Sequence, residues 1–131
     1  MPKTILIVDD SASMRQLISF TLKDAGFDVL SAVNGTDALT RLGSRRVEMV
    51  VTDLNMPEMD GITFIRQLRG MKEHRFTPII MLTTEAQDAK KQDGRAAGAS
   101  GWIVKPFSPE KLLEVVKKFV KEGTPHGGDQ A

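Results

Sequence analysis

The chain has no cysteine, no tyrosine, one tryptophan and two histidines in 131 residues. Without cysteine there is neither a disulfide framework nor a thiolate zinc site, so an apolar core must hold the fold unaided. Neither sign of charge dominates: 18 Lys and Arg against 17 Asp and Glu leave a formal net charge of +1. That balance supplies no basic field for gripping phosphate backbones and argues against nucleic acid as a partner. No apolar run approaches membrane-spanning length. Met1-Pro2-Lys3-Thr4 leads straight into a short apolar stretch, without the longer core and cleavage site of a signal peptide. A soluble, cytoplasmic, monomeric protein that binds no membrane is the simplest expectation. The length suits one domain, able to bury roughly two thirds of its unfolded surface.

What is present is an alternation of short apolar runs with segments of helical period. Ile5–Val8, Asp28–Ala32, Glu48–Thr52, Pro78–Thr83 and Gly101–Val104 have the length and β-branched content of strands buried on both faces. Between them the spacing predicts helices. The first follows a Ser11 or Ser13 cap and turns Met14, Leu17, Ile18, Thr21, Leu22 and Ala25 inward. The second follows an Asn34-Gly35 turn and carries Ala38, Leu39 and Leu42. The third carries Ile62, Ile65 and Leu68. A fourth, about Ala86 to Ala97, has only alanines as apolar side chains. Its interior Gly94 costs about 1 kcal/mol relative to alanine, so it is expected to be the most deformable. The fifth, after Ser108-Pro109-Glu110, is expected to bury Leu112, Leu113, Val116, Phe119 and Val120. Such an alternation makes an α/β domain with a parallel sheet and helices on both faces, spanning residues 1–122. Residues 123–131 are too poor in apolar side chains to order themselves and form a disordered tail.

In open α/β sheets ligands bind beyond the carboxyl ends of the strands. Asp9 and Asp10 close the first strand, Asp53 the third, Thr83 the fourth and Lys105 the fifth, so all of them belong to one edge. Three crowded carboxylates raise one another's pKa unless a cation sits among them, which points to a hard metal such as Mg²⁺. Side chains alternate along a strand, so one of Asp9 and Asp10 would ligate the metal directly and the other through water. Asp53, presented rigidly at a strand end, suits a nucleophile whose attack on phosphorus gives an acyl phosphate. Lys105 offers a point charge to a phosphoryl oxygen and Thr83 a hydroxyl donor. His74 and His126 have no metal-ligand spacing and are expected to be solvated.

Taken in order, Asp9-Asp10, Asp53 within Asp53-Leu54-Asn55-Met56-Pro57-Glu58-Met59-Asp60-Gly61, Thr83, and Gly98-Ala99-Ser100-Gly101-Trp102-Ile103-Val104-Lys105-Pro106-Phe107 resemble the receiver domain of two-component response regulators, in its stand-alone chemotaxis form. The resemblance covers about residues 3 to 121. It implies a flavodoxin-like (βα)5 sheet of strand order 2-1-3-4-5 and a cis Lys105-Pro106 bond. It makes Asp53 the phosphoacceptor, Asp10 the direct Mg²⁺ ligand, Asp9 its water-mediated companion and the Asn55 backbone carbonyl a third ligand. Thr83 and Lys105 would contact the phosphoryl oxygens. Trp102 stands at the aromatic switch position, commonly Tyr or Phe in the family, so a larger ring must turn inward when Thr83 moves. Asn55 and Glu85 occupy the positions that tune dephosphorylation.

The partners implied are a histidine kinase of the chemotaxis type, a flagellar motor switch protein or other target docking on the helix 4, strand 5 and helix 5 face, and a phosphatase. Lys90, Lys91, Trp102, Lys111 and Lys118 lie near that face. The protein would be a signalling switch rather than an enzyme, catalysing only its own phosphoryl acceptance and loss. A phosphorelay shuttle or phosphate sink is the alternative within signalling. A flavin electron carrier on the same fold would need a hydroxyl- and glycine-rich phosphate loop after strand one, where two aspartates repel a phosphate monoester. A haloacid-dehalogenase-type phosphatase normally has a second acid two residues after its nucleophile, and that position is Asn55.

Overall fold

In a computed structural model, residues 3–56, 58–84 and 88–120 are described; the tail from 123 and Glu85 lie outside them. The described elements run β1 (Thr4–Val8), α1 (Ala12–Asp24), β2 (Asp28–Ala32), α2 (Gly35–Leu42), β3 (Met49–Asp53), α3 (Gly61–Arg69), a 3-10 turn (Lys72–His74), β4 (Ile79–Thr83), α4 (Asp88–Ala97), β5 (Gly101–Val104) and α5 (Pro109–Phe119). The strands form a parallel sheet of order β2-β1-β3-β4-β5, as the family resemblance implied.

Alternation along the strands divides the core between the two faces of the sheet. Ile5, Ile7, Met49, Val51, Ile80, Leu82 and Ile103 face α1 and α5, meeting Ile18, Leu22, Leu112, Val115 and Val116. Leu6, Val8, Val50, Ile79 and Met81 face α2 and α3, meeting Ala38, Leu42, Phe64, Ile65 and Leu68. Fully burying each large aliphatic side chain stabilises the fold by about 1.5–3 kcal/mol.

The helix starts follow capping chemistry. Ser11 accepts from the Met14 N–H, Asp60 from Thr63 and Ser108 from Lys111. Asn34 accepts from Asp37, so Asn34-Gly35 opens α2 directly instead of forming a separate turn.

Some expected placements differ. Leu17 and Phe119 are each 40% exposed, because the stripes that α1 and α5 bury are narrower than the helical spacing suggested, while Phe64 and Val115 are buried. His74 is not solvated but wholly buried, its Nε2 accepting from the Val47 N–H at 3.4 Å.

The largest difference in meaning concerns Gly94, which helix propensity alone counts as a defect. It is the only buried residue among the described side chains of α4, and a Cβ there would collide with the Met81 sulfur of β4. The glycine is what lets α4 lie against the sheet. Gly94→Ala should therefore destabilise, by about 1–3 kcal/mol from overpacking, despite the better helix propensity of alanine. Combining it with Met81→Ala should recover part of the loss in a double-mutant cycle by denaturant unfolding. Simple additivity would mean that the two side chains do not compete for the same space.

Candidate functional site

The parallel register brings the chemistry together. Val8 lies beside Thr52, Asp53 beside Leu82, and Thr83 beside Val104. The residues at or just beyond these strand ends, Asp9, Asp53, Thr83 and Lys105, therefore share the carboxyl edge of the sheet. One carboxylate oxygen from each of Asp9, Asp10 and Asp53 can be chosen so that all lie within 4.8 Å of one another.

Within this group the aspartates differ. Asp9 is buried and Asp10 exposed. Asp9 Oδ1 accepts the Ser11 N–H at 2.9 Å, and its Oδ2 is buried without a hydrogen-bond partner. Lys105 Nζ stands 3.5 Å from that Oδ2 and 3.4 Å from Asp53 Oδ1, an ammonium bridging two strand ends. Asp53 Oδ1 also accepts the Leu54 N–H at 2.8 Å. Burial pushes the Asp53 carboxyl above its usual range; Lys105 pulls it down, and the charge of Asp9 pushes it up again.

Thr83 is buried and its Oγ1 has no partner. A buried hydroxyl without a partner is costly unless a ligand satisfies it. Lys105 is held from behind, its N–H donating to the Thr83 carbonyl at 2.6 Å, and its bond to Pro106 is cis. Asn55 is exposed two residues beyond Asp53. Trp102 is half-buried, its ring lying under Lys91 Nζ at 5.5 Å and the Arg95 guanidinium at 5.6 Å. Such contacts are worth about 0.5–1 kcal/mol each at exposed sites.

Two supports escaped the sequence reading. Arg15 donates from Nη1 to the Asp9 carbonyl at 2.7 Å, fixing the turn that carries the acidic pair. Gly61 sits so close to the Asp53–Leu54 peptide that its missing Cβ would lie 2.8 Å from Leu54 Cα. Nothing marks an arginine six residues after an aspartate as a brace. The glycine following the Asp60 cap was visible as a tight loop, though not as a contact with the nucleophile's backbone.

The sequence matches the response regulator receiver domain over residues 5–117. The chain belongs to that family. A chemotaxis protein CheY homolog of Campylobacter jejuni is 39% identical over 125 residues, covering 94% of this chain and 96% of the relative. The structure of the chemotaxis response regulator CheY4 of Vibrio cholerae superposes with a TM-score of 0.87 at 45% identity, over 92% of this chain and 100% of the other. The receiver domain of the sensor histidine kinase PA1611 of Pseudomonas aeruginosa, described with a magnesium ion coordinated in its active-site cleft, has a TM-score of 0.83 at 25% identity, covering 91% of this chain and 98% of that one. This receiver is thus CheY-like, of the kind found in two-component signalling.

The raised Asp53 pKa has a sign that can be checked. Between the unfolded value of 3.8 and the higher folded value the native state binds more proton, so stability falls as pH rises through that window. At neutral pH, with chelator present, Asp53→Asn should melt higher than the parent, by roughly 2 to 5 °C. The gain should shrink as the solution is acidified below the folded pKa. Calorimetric melting across pH measures both; a lower midpoint for the variant at neutral pH would mean that the attraction of Lys105 outweighs burial.

Proposed function

We propose that this receiver is a phosphorylation-dependent switch of the chemotaxis type, with Asp53 as its phosphoacceptor. The observation that carries the reading is the setting of Asp53: a buried carboxylate at a strand end, 3.4 Å from the Lys105 amine and close to two further carboxylates. In the transfer an Asp53 carboxylate oxygen forms a bond to phosphorus as the phosphorus–nitrogen bond of a kinase phosphohistidine breaks. The departing imidazole keeps the electron pair and takes up a proton. Lys105 leaves its bridging position to neutralise a phosphoryl oxygen, and the Thr83 hydroxyl donates to another.

The donor set fits Mg²⁺: all the acids offer hard oxygen, and Asp9 Oδ2 is buried with no hydrogen bond. Asp10 would hold the ion directly and Asp9 through water, with Asp53 and the Asn55 carbonyl completing the protein ligands. When bound, the ion supplies positive charge that offsets the charge of the phosphoryl oxygens. Asn55 and Glu85 would govern how water reaches the acyl phosphate.

Treatment with acetyl phosphate and Mg²⁺, followed by borohydride trapping and peptide mapping, should mark Asp53 alone, and Asp53→Asn should abolish the mark. Undiminished labelling of that variant would move the phosphoacceptor elsewhere.

The chemotaxis assignment draws on the named functions of the relatives, and the partners are then a chemotaxis-type histidine kinase, a motor switch protein and a phosphatase. Output runs from Thr83 to Trp102 and the face made by α4, β5 and α5. When Thr83 moves toward the phosphoryl group, the indole turns into the space it leaves. Coupling of this kind is typically about 1–3 kcal/mol. Beryllofluoride, a phosphoryl mimic, should alter Trp102 fluorescence in the parent, and in Thr83→Ala it should still bind with a weakened fluorescence response. A full response in that variant would route the signal through Lys105 or α4 instead.

A further inference from the structure

At the edge of the sheet away from the carboxylates, the buried His74 serves no step of the proposed chemistry. Its ring is 0% exposed. Nε2 accepts the Val47 N–H at 3.4 Å, so the neutral ring carries its proton on Nδ1, and Nδ1 finds no partner. A second proton has no place here. It would sit on Nε2 facing the Val47 donor, and the resulting cation would be buried.

Among the described residues, the charges bearing on the ring are Glu73 on the same turn, Arg46 from the segment before β3, and Arg69 from α3. Both arginines oppose the charged ring. Glu73 favours it but is exposed, where solvent screens its charge. Burial first, and then the two arginines, hold the His74 pKa below its usual value in spite of Glu73.

The same turn is wired to the far end of α4. Arg69 donates from Nη1 to the carbonyls of His74 at 2.8 Å and Arg75 at 3.2 Å. Its Nε and Nη2 both reach the Gly98 carbonyl, at 3.0 and 2.8 Å. Gly98 has φ +121°, and a Cβ there would lie 2.8 Å from Arg69 Cγ. One planar guanidinium thus ties the His74 turn to the turn between α4 and β5.

We infer that His74 and Arg69 form an acid-sensitive clamp: protonation of His74 expels its ring, opens the Lys72–His74 turn, and frees the Arg69 guanidinium from the turn that joins α4 to β5. Neutral His74 keeps the clamp closed. The linkage is to a single proton, so as pH falls from the ordinary value of an exposed ring, 6.5, toward the lower value of the closed form, the opening equilibrium shifts by up to roughly tenfold per pH unit.

Amide hydrogen exchange read by NMR, corrected for intrinsic exchange, tests this in the full chain from about pH 7.5 to about pH 5. Val47 reports the histidine end. Gly98 and Ala99, which both donate to the Gly94 carbonyl, report the α4 end. In the parent, protection at all three should fall together as pH drops, and the His74 ring proton should titrate below 6.5. His74→Gln, and His74→Met as a second uncharged comparison, should leave the Gly98 and Ala99 protection flat with pH. Arg69→Lys, which cannot span both turns with a planar fork, should keep the Val47 response while Gly98 and Ala99 lose protection already at neutral pH. The inference is overturned if Val47 responds to pH but Gly98 and Ala99 do not in the parent. It is equally overturned if the uncharged variants retain the parent's response, or if His74 titrates at or above its ordinary value.

Discussion

Lys105 lies 3.5 Å from Asp9 and 3.4 Å from Asp53, and the rest of the site depends on that one ammonium. Buried carboxylates on adjacent strands repel each other in a medium that screens them poorly, and protonation or strand separation would otherwise relieve the strain. The lysine reaches them because β5 ends one residue before it, and because its own backbone is tied to the Thr83 carbonyl of β4. A parallel sheet is the simplest scaffold for this. It ends β1, β3, β4 and β5 on a common edge while their middles are sealed in apolar core. The balance is incomplete: burial still pushes Asp53 upward and Asp9 Oδ2 keeps no hydrogen bond. This leftover attraction for positive charge is the property that fits a divalent ion.

Much of this could be read from the residues, for a physical reason. Strands buried on both faces must be apolar along their length, so Ile5–Val8 and Ile79–Leu82 stand out, and the first polar residue after each run marks the edge. Asp9, Thr83 and Lys105 were found by that rule, and Asp53 as the first charged residue after Met49-Val50-Val51-Thr52. Position along the chain did not reveal burial outside the regular elements. His74 lies in a three-residue turn with no period to classify it, so its isolation in sequence resembled solvation. Leu17 and Phe119 have the spacing of inward residues, yet how much of a helix is covered depends on where its neighbours lie. Asp9 is still held against β2, its N–H donating to the Ala32 carbonyl, while Asp10 beyond it is exposed; alternation in the sequence left open which of the pair is which. Braces such as Arg15 and Arg69 act on backbone carbonyls, and a carbonyl carries no residue identity for a sequence to display.

The two ends of the sheet are built on opposite electrostatic terms. At the carboxyl end, charges are gathered and neutralised by a lysine. At the other, His74 is kept uncharged, with Arg46 and Arg69 nearby. Strands of 5 residues, about 17 Å of extended chain, separate them, so direct Coulomb coupling is weakened by distance, and communication has to pass through elements that touch both regions. The segment from α4 through β5 qualifies: Arg69 grips its turn at Gly98, and Lys105 follows its strand.

The contact between α4 and the sheet has a thermal consequence. Among its described side chains only Gly94 is buried, and the helix is seated by the fit of that glycine over the Met81 sulfur and by hydrogen bonds at Gly98. Heat-capacity change scales with the apolar area exposed. Shifting α4 uncovers little such area, so the equilibrium between its positions carries a small heat-capacity term. The equilibrium of a helix held in this way follows a straight van't Hoff line from cold to warm, its enthalpy nearly constant, while the two cores, rich in buried aliphatic side chains, follow the curved stability profile of any globular domain.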